Sequence, residues 1–148
     1  MTTTVGTTDQ VYELFIKASP ERVWDAITQP EFTVKYFHGV RIEFTPERRT
    51  SGSADGSETW DENAVLEWDP PRRLSHEWHS FYDPELAAEE KSRVTYEIEP
   101  QDGGFTKLTV IHDRLEGAPK TAVSVSGAGW MMVLSGLKSV LETGEGLA

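Results

Sequence analysis

The chain has 148 residues, 37% of them hydrophobic and 26% charged, a balance that fits one soluble globular unit with its own core and excludes an intrinsically disordered chain. It contains no cysteine, which removes disulfides, thiolate metal ligands and cysteine nucleophiles together. A formal net charge of −11 argues against nucleic acid as a partner, because phosphate binding needs clustered Lys and Arg, and the Arg pairs in "PERRT" and "PPRRL" stand alone.

The opening "MTTTVGTTDQ" is polar, without the basic start and apolar run of a signal peptide, and no apolar stretch is long enough to span a bilayer. The cytoplasm is the expected location. "VYELFIKA", Val11 to Ala18, alternates and predicts a strand. In "SPERVWDAIT", Ser19 is an N-cap, Pro20 fits the first helical position, and Val23, Trp24 and Ile27 make an apolar stripe. A second short helix is expected after Pro30, carrying Phe32, Tyr36 and Phe37 and ending at Gly39.

From Val40 the period becomes two, with Val40, Ile42 and Phe44 alternating against Arg41 and Glu43. "TPERRTSGSADGS" reads as a long mobile loop, rich in Gly, Ser and charge. "ETWDENAVLEWDPPRRLSHEWHSF" reads as two strands separated by a turn at Pro70 and Pro71, since proline cannot donate to a sheet ladder. "SRVTYEIEP" and "FTKLTVIHD" form a hairpin through "QDGG". Trp130, Leu134, Leu137 and Leu141 then fall at helical spacing, widened by Val133 and Val140. They predict a helix from about Ser126 to Thr143, with "SGAG" as a flexible lead-in and Gly144 as the stop.

The expected architecture is α+β: a curved antiparallel sheet of about six to seven strands wrapped around a long C-terminal helix, with two short helices after the first strand. Space left between sheet and helix becomes a pocket. The stretches "VYELFIKASPERVWDAITQPE", "VLEWDPPRRLSHEW", "SRVTYEIEP", "TKLTVIHD" and "GWMMVLSGLKSVLETG", in this order and spacing, resemble the START-like, or SRPBCC, superfamily. Within it, they are similar to the branch named for the activator of Hsp90 ATPase homologue, as a small bacterial member. The resemblance implies a helix-grip (START-like, Bet v 1-like) fold over residues 10–144, after a flexible segment at 1–9 and before a tail at 145–148.

It also implies a hydrophobic cavity between sheet and C-terminal helix. Superfamily members use it for lipids, sterols, polyketides or hormones, and some are cyclases or hydrolases, so fold alone does not give function. The co-chaperone that names the branch carries an additional N-terminal Hsp90-binding domain that these residues lack, so Hsp90 interaction is not expected. Small bacterial members are often encoded beside winged-helix repressors, a hint of a stress or detoxification setting.

Three strands offer matched faces: Leu74, His76 and Trp78; Val94, Tyr96 and Ile98; Leu108, Val110 and His112. These nine are the expected concave face. Trp130, Met131 and Leu134 should approach from the long helix, with Trp24, Tyr36 and Phe37 closing one end. The expected ligand-binding set is Trp24, Tyr36, Phe37, His76, Trp78, Tyr96, Val110, His112, Trp130, Met131 and Leu134. Apolar stripes of this kind are also simply core, the plainer alternative.

No metal, cofactor or catalytic set is expected. If the loop after Phe81 closes symmetrically, Trp78 lies across from Val94, and the Cα atoms of His76 and His112 stand about 11 to 12 Å apart, too far for one ion on a flat sheet. His79 faces away from His76, and His38 sits in a loop. Asp113 adjoins His112 but faces the other way, and there is no "GxSxG" elbow. The leading expectation is therefore binding of a small hydrophobic or aromatic molecule, with an enzyme using His76, His112 and Tyr96, or a co-chaperone-like interaction module, as rivals. An exposed strand edge would also allow a homodimer.

Overall fold

The computed structural model describes residues 9–126 and 128–147. The expected flexible segment falls almost wholly on residues 1–8, and Gly127 in the predicted helix and Ala148 in the tail also lie outside the described residues. Seven strands form one antiparallel sheet: β1 (Gln10–Ile16), β2 (Arg41–Phe44), β3 (Arg48–Gly52), β4 (Thr59–Asp69), β5 (Arg73–Trp78), β6 (Ser92–Gln101) and β7 (Phe105–Asp113). Their order across the sheet is β1-β7-β6-β5-β4-β3-β2, so β1 and β2 are the edges. Register shifts in β3 at Ser51/Gly52 and in β4 at Val65/Glu67 add local bends to a curled sheet.

Five helices are described, α1 (Pro20–Thr28), α2 (Pro30–Tyr36), α3 (Pro84–Ala87), α4 (Pro119–Val125) and α5 (Ala128–Thr143), and none is long and apolar enough to cross a membrane. The Ser19 hydroxyl accepts the backbone N–H of Arg22 and Pro20 opens α1, so the first helix starts where its capping chemistry predicts. Val23, Trp24 and Ile27 are all buried, and the Trp24 ring meets Trp68 edge-on at 5.0 Å. α2 stops at Tyr36, and His38 and Gly39, both at positive φ, turn the chain into β2.

Thr33 fastens that turn. Its fully buried hydroxyl accepts the Ile42 N–H at 2.9 Å and has the carbonyls of Pro30 and Val40 at 3.2 Å as acceptors, tying α2 to β2. Along the other edge of the core, α5 buries Trp130, Val133, Leu134, Leu137, Val140 and Leu141. Each such side chain contributes about 1.5–3 kcal/mol of apolar transfer energy, enough to hold the helix against the sheet.

Two expectations are corrected and one element is added. "TPERRTSGSADGS" contains β3, paired with β2 and β4, because the residues it turns inward are Arg49 and Ser51, which leave no apolar alternation to read. The bulge brings the two strands so close at Gly52 that a Cβ there would lie 2.0 Å from the Glu58 carbonyl oxygen, a position that only glycine fills. The predicted C-terminal helix is α5, and a further short helix, α4, precedes it where none was expected, set off by the extended Ser126 (φ −72°, ψ 167°). The β5–β6 connection, which holds α3, does not bring Trp78 across from Val94. His76 pairs with Val94 instead, and Trp78 with Ser92, a shift of two residues that keeps every side chain on its expected face.

Candidate functional site

The alternation of β5, β6 and β7 places Leu74, His76, Trp78, Val94, Tyr96, Ile98, Leu108, Val110 and His112 on the covered face, and all nine are buried. Pro100 pairs with Thr106 and Val94 with His112, as the hairpin spacing predicts. His112 and His76 thus flank Val94 on its two sides.

His112 is fully buried, and both ring nitrogens are engaged. The Trp130 indole donates to Nδ1 at 3.1 Å, and Nε2 lies 2.7 Å from the Ser92 hydroxyl. An indole N–H can only donate, so Nδ1 carries the lone pair and Nε2 the proton. Burial pushes the His112 pKa down to about 4, against a weaker upward pull from Asp113, and the ring is neutral at physiological pH. Asp113 points away to the other face, where it binds the Arg93 guanidinium at 2.8 and 2.5 Å. His112 accordingly anchors the Trp130 ring through Nδ1 and the Ser92 hydroxyl through Nε2.

His76 is also fully buried, with Nδ1 2.8 Å from the Glu77 carbonyl, to which it donates, and Nε2 without a hydrogen-bond partner among the described residues. Its pKa is held well below the ordinary value, first by burial and then by the Arg49 charge. Its ring stacks on Tyr96 at 5.9 Å and meets Phe44 edge-on at 5.2 Å. Tyr96 is raised to about 12 by burial, with Arg49 pulling down, and Tyr36 is pushed well above its ordinary value, chiefly by burial. The Tyr36 hydroxyl donates to the Ala26 carbonyl at 2.7 Å. Both phenols stay neutral.

A cavity of about 460 Å³ lies beside this cluster, between the β3, β4 and β5 side of the sheet and the start of α5. Phe37, His38 and Val40 line it from the α2–β2 turn, Arg49 from β3, Trp60 from β4 and Trp78 from β5. His79, Phe81 and Tyr82 continue the wall after β5, and Ser124, Val125, Gly129, Trp130 and Val133 close the helical side. Trp60 is 45% and Tyr82 60% exposed, marking the mouth. There Tyr82 and Ser124 hydroxyls meet at 2.5 Å, joining the loop after β5 to α4.

Of the predicted site residues, Phe37, Trp78 and Trp130 line this cavity. His112 stands directly behind it, holding Trp130, with the Trp78 ring 5.6 Å from both the His112 and Trp130 rings. Trp24, Tyr36, His76, Tyr96, Val110 and Leu134 belong to the packed interior rather than the wall. Met131 lies 56% exposed, and Val133 takes the inward place expected of it. At 100° per residue, the position after Trp130 cannot share its face.

The sequence reading missed Arg49, His79, Phe81, Tyr82 and Trp60. The aromatic pair in "HSFY" after a buried strand is the signal that could have drawn attention to Phe81 and Tyr82. Arg49 gave none, as it sits in a stretch read as loop. Among the described residues, no group of three or more His, Asp or Glu is arranged to hold a metal ion.

The sequence model of the activator of Hsp90 ATPase homolog 1-like protein family matches residues 17–142. Among solved structures, protein MLL2253 from Mesorhizobium loti is similar over 91% of this chain and 97% of its own, with 24% identity and a TM-score of 0.71. DynU16, from the dynemicin biosynthetic locus, is similar over 93% of this chain and 48% of its own, with 23% identity and a TM-score of 0.70. PFC0360w, an Hsp90 activator from Plasmodium falciparum, is similar over 90% of this chain and 95% of its own, with 19% identity and a TM-score of 0.68. At these identities the likeness is one of fold. No curated protein matches the chain.

Proposed function

Since the chain belongs to the activator of Hsp90 ATPase homolog 1-like family, matched over residues 17–142, we propose that it binds a small hydrophobic or aromatic molecule between its sheet and C-terminal helix. The observation that carries this reading is the cavity of about 460 Å³ walled by Phe37, Trp78, Phe81, Trp130 and Val133. Its size and apolar lining, with a few polar points, match small-molecule sites. The Trp130 ring is fixed from behind by His112, so one wall is preorganised and ligand binding has less ordering to do.

Recognition is favoured over turnover by the polar groups themselves. His112 has both nitrogens occupied, His79 on the wall has Nε2 against the Ala87 carbonyl at 2.8 Å and Nδ1 beside Asp61 at 3.4 Å, and among the described residues no Asp or Glu lines the cavity.

Native mass spectrometry of freshly purified protein, followed by titration with uncharged naphthalene derivatives and tryptophan fluorescence as readout, tests the proposal. Either a co-purified adduct or saturable quenching is expected, and Val133→Trp, which fills the cavity, should abolish it while the urea midpoint confirms a folded protein. Neither adduct nor quenching, or quenching unchanged in Val133→Trp, would leave the cavity without a binding role.

A further inference from the structure

Among the described residues, Arg49 is the one Lys or Arg lining the cavity, and it is only 4% exposed. It projects from β3 opposite Asn63, with its guanidinium carbon 5.0 Å from the Trp78 ring centroid and 5.9 Å from that of Phe37. Among the described residues its side chain makes no hydrogen bond and no ion pair. Asp61, whose charge it feels, is instead engaged by the Asn63 amide at 3.0 Å and lies 3.4 Å from His79 Nδ1.

A guanidinium withdrawn from water without a carboxylate is costly, and contact with two aromatic faces offsets only part of that cost. It also cannot escape by losing its proton, since arginine stays charged in proteins even where burial lowers its pKa, as it does here. An unpaired fixed cation aimed into an apolar cavity is therefore a recognition element awaiting an anion. Among the described residues no Asp or Glu lines the wall to repel one.

We infer that Arg49 is the anion-binding point of the cavity and that the ligand class is an apolar monocarboxylate, aromatic or aliphatic. Its body lies against Trp78, Trp130 and Val133, and its carboxylate takes the two-pronged face of the guanidinium. The inference rests on the cavity reading above and narrows it. A single fixed positive charge matches a monoanion, whereas a phosphate dianion would bring a second charge that no further Lys or Arg of the lining meets.

The test uses matched pairs differing only in charge, 2-naphthoic acid with 2-naphthamide and decanoic acid with decanamide, titrated calorimetrically at neutral pH. Each acid should bind the wild type at least about tenfold more tightly than its amide, as expected of a charge-assisted bidentate contact. Arg49→Met should erase that preference and leave amide binding in place, and Arg49→Lys should retain part of it. Acid and amide of equal affinity in the wild type would overturn the role of Arg49 while leaving the cavity reading intact. A preference that survives in Arg49→Met would overturn it as well. Failure of all four compounds to bind would remove both readings. Should Arg49→Met not fold by circular dichroism, the wild-type acid-to-amide ratio together with Arg49→Lys decides the matter.

Discussion

Replacing His112 by Phe keeps an aromatic ring of similar size in the core but removes both hydrogen bonds. Trp130 Nε1–H then has no acceptor in a buried site, which costs about 1–3 kcal/mol, and the Ser92 bond adds about 1 kcal/mol. At neutral pH the variant should be less stable by about 2–4 kcal/mol. The pH dependence separates this account from a simple packing defect. The unfolded His112 titrates near 6.5 and the folded one at about 4, so between these values the unfolded state binds more protons and the wild type loses stability as pH falls. By linkage the loss is about 1.4 kcal/mol at about pH 5.5 and reaches about 3 kcal/mol below about pH 4. It is absent above about pH 6.5, where both states are neutral.

The His112→Phe variant has no such loss, so the gap between it and the wild type should shrink to within about 1 kcal/mol as pH approaches about 4. Contributions from groups that His112 does not touch cancel in the difference, and its charge is the weakest influence on His76 and Asp113. Urea unfolding followed by tryptophan fluorescence across this range measures the gap directly. A gap that stays constant with pH, or one below about 0.5 kcal/mol at neutral pH, would refute the hydrogen-bonded, neutral His112 described above.

Two neighbouring positions on α5 should respond in opposite ways. Leu134→Ala, at 5% exposure, should cost about 2–5 kcal/mol in urea unfolding, whereas Met131→Ala, at 56%, should stay within about 0.5 kcal/mol. Thr33→Val preserves shape but leaves the buried Ile42 N–H without its acceptor. It should lower stability by about 1–3 kcal/mol, and hydrogen exchange at Ile42 should quicken as α2 loosens from β2.

The candidate site was legible to an uneven degree. Period-two alternation in "LSHEW", "SRVTYEI" and "KLTVIHD" sorted nine residues onto one face, and even the wrong β5–β6 register left them there, because an offset of two residues conserves the face. Ser19, Pro20 and the apolar stripe of "RVWDAI" sufficed for α1, since capping and amphipathicity are local properties. "ERRTSG" was not legible as a strand, because its inward residues are Arg49 and Ser51 and a hydrophobic pattern is blind to a polar interior.

By itself, then, the sequence determined most of the strands, the helices α1, α2 and α5, the α+β class and the family. The elements and the class follow from short-range periodicity and from residues whose partners are a few positions away, and the family from resemblance to known sequences. Tertiary structure alone decided that the Trp130 indole meets His112, that Arg49 is drawn under Trp78 and Phe37, and that α5 and the sheet part around Trp130 to leave a cavity. Those outcomes depend on register, sheet curvature and the angle at which a helix crosses it. Such quantities are set by packing among residues far apart in the chain, and no local pattern encodes them.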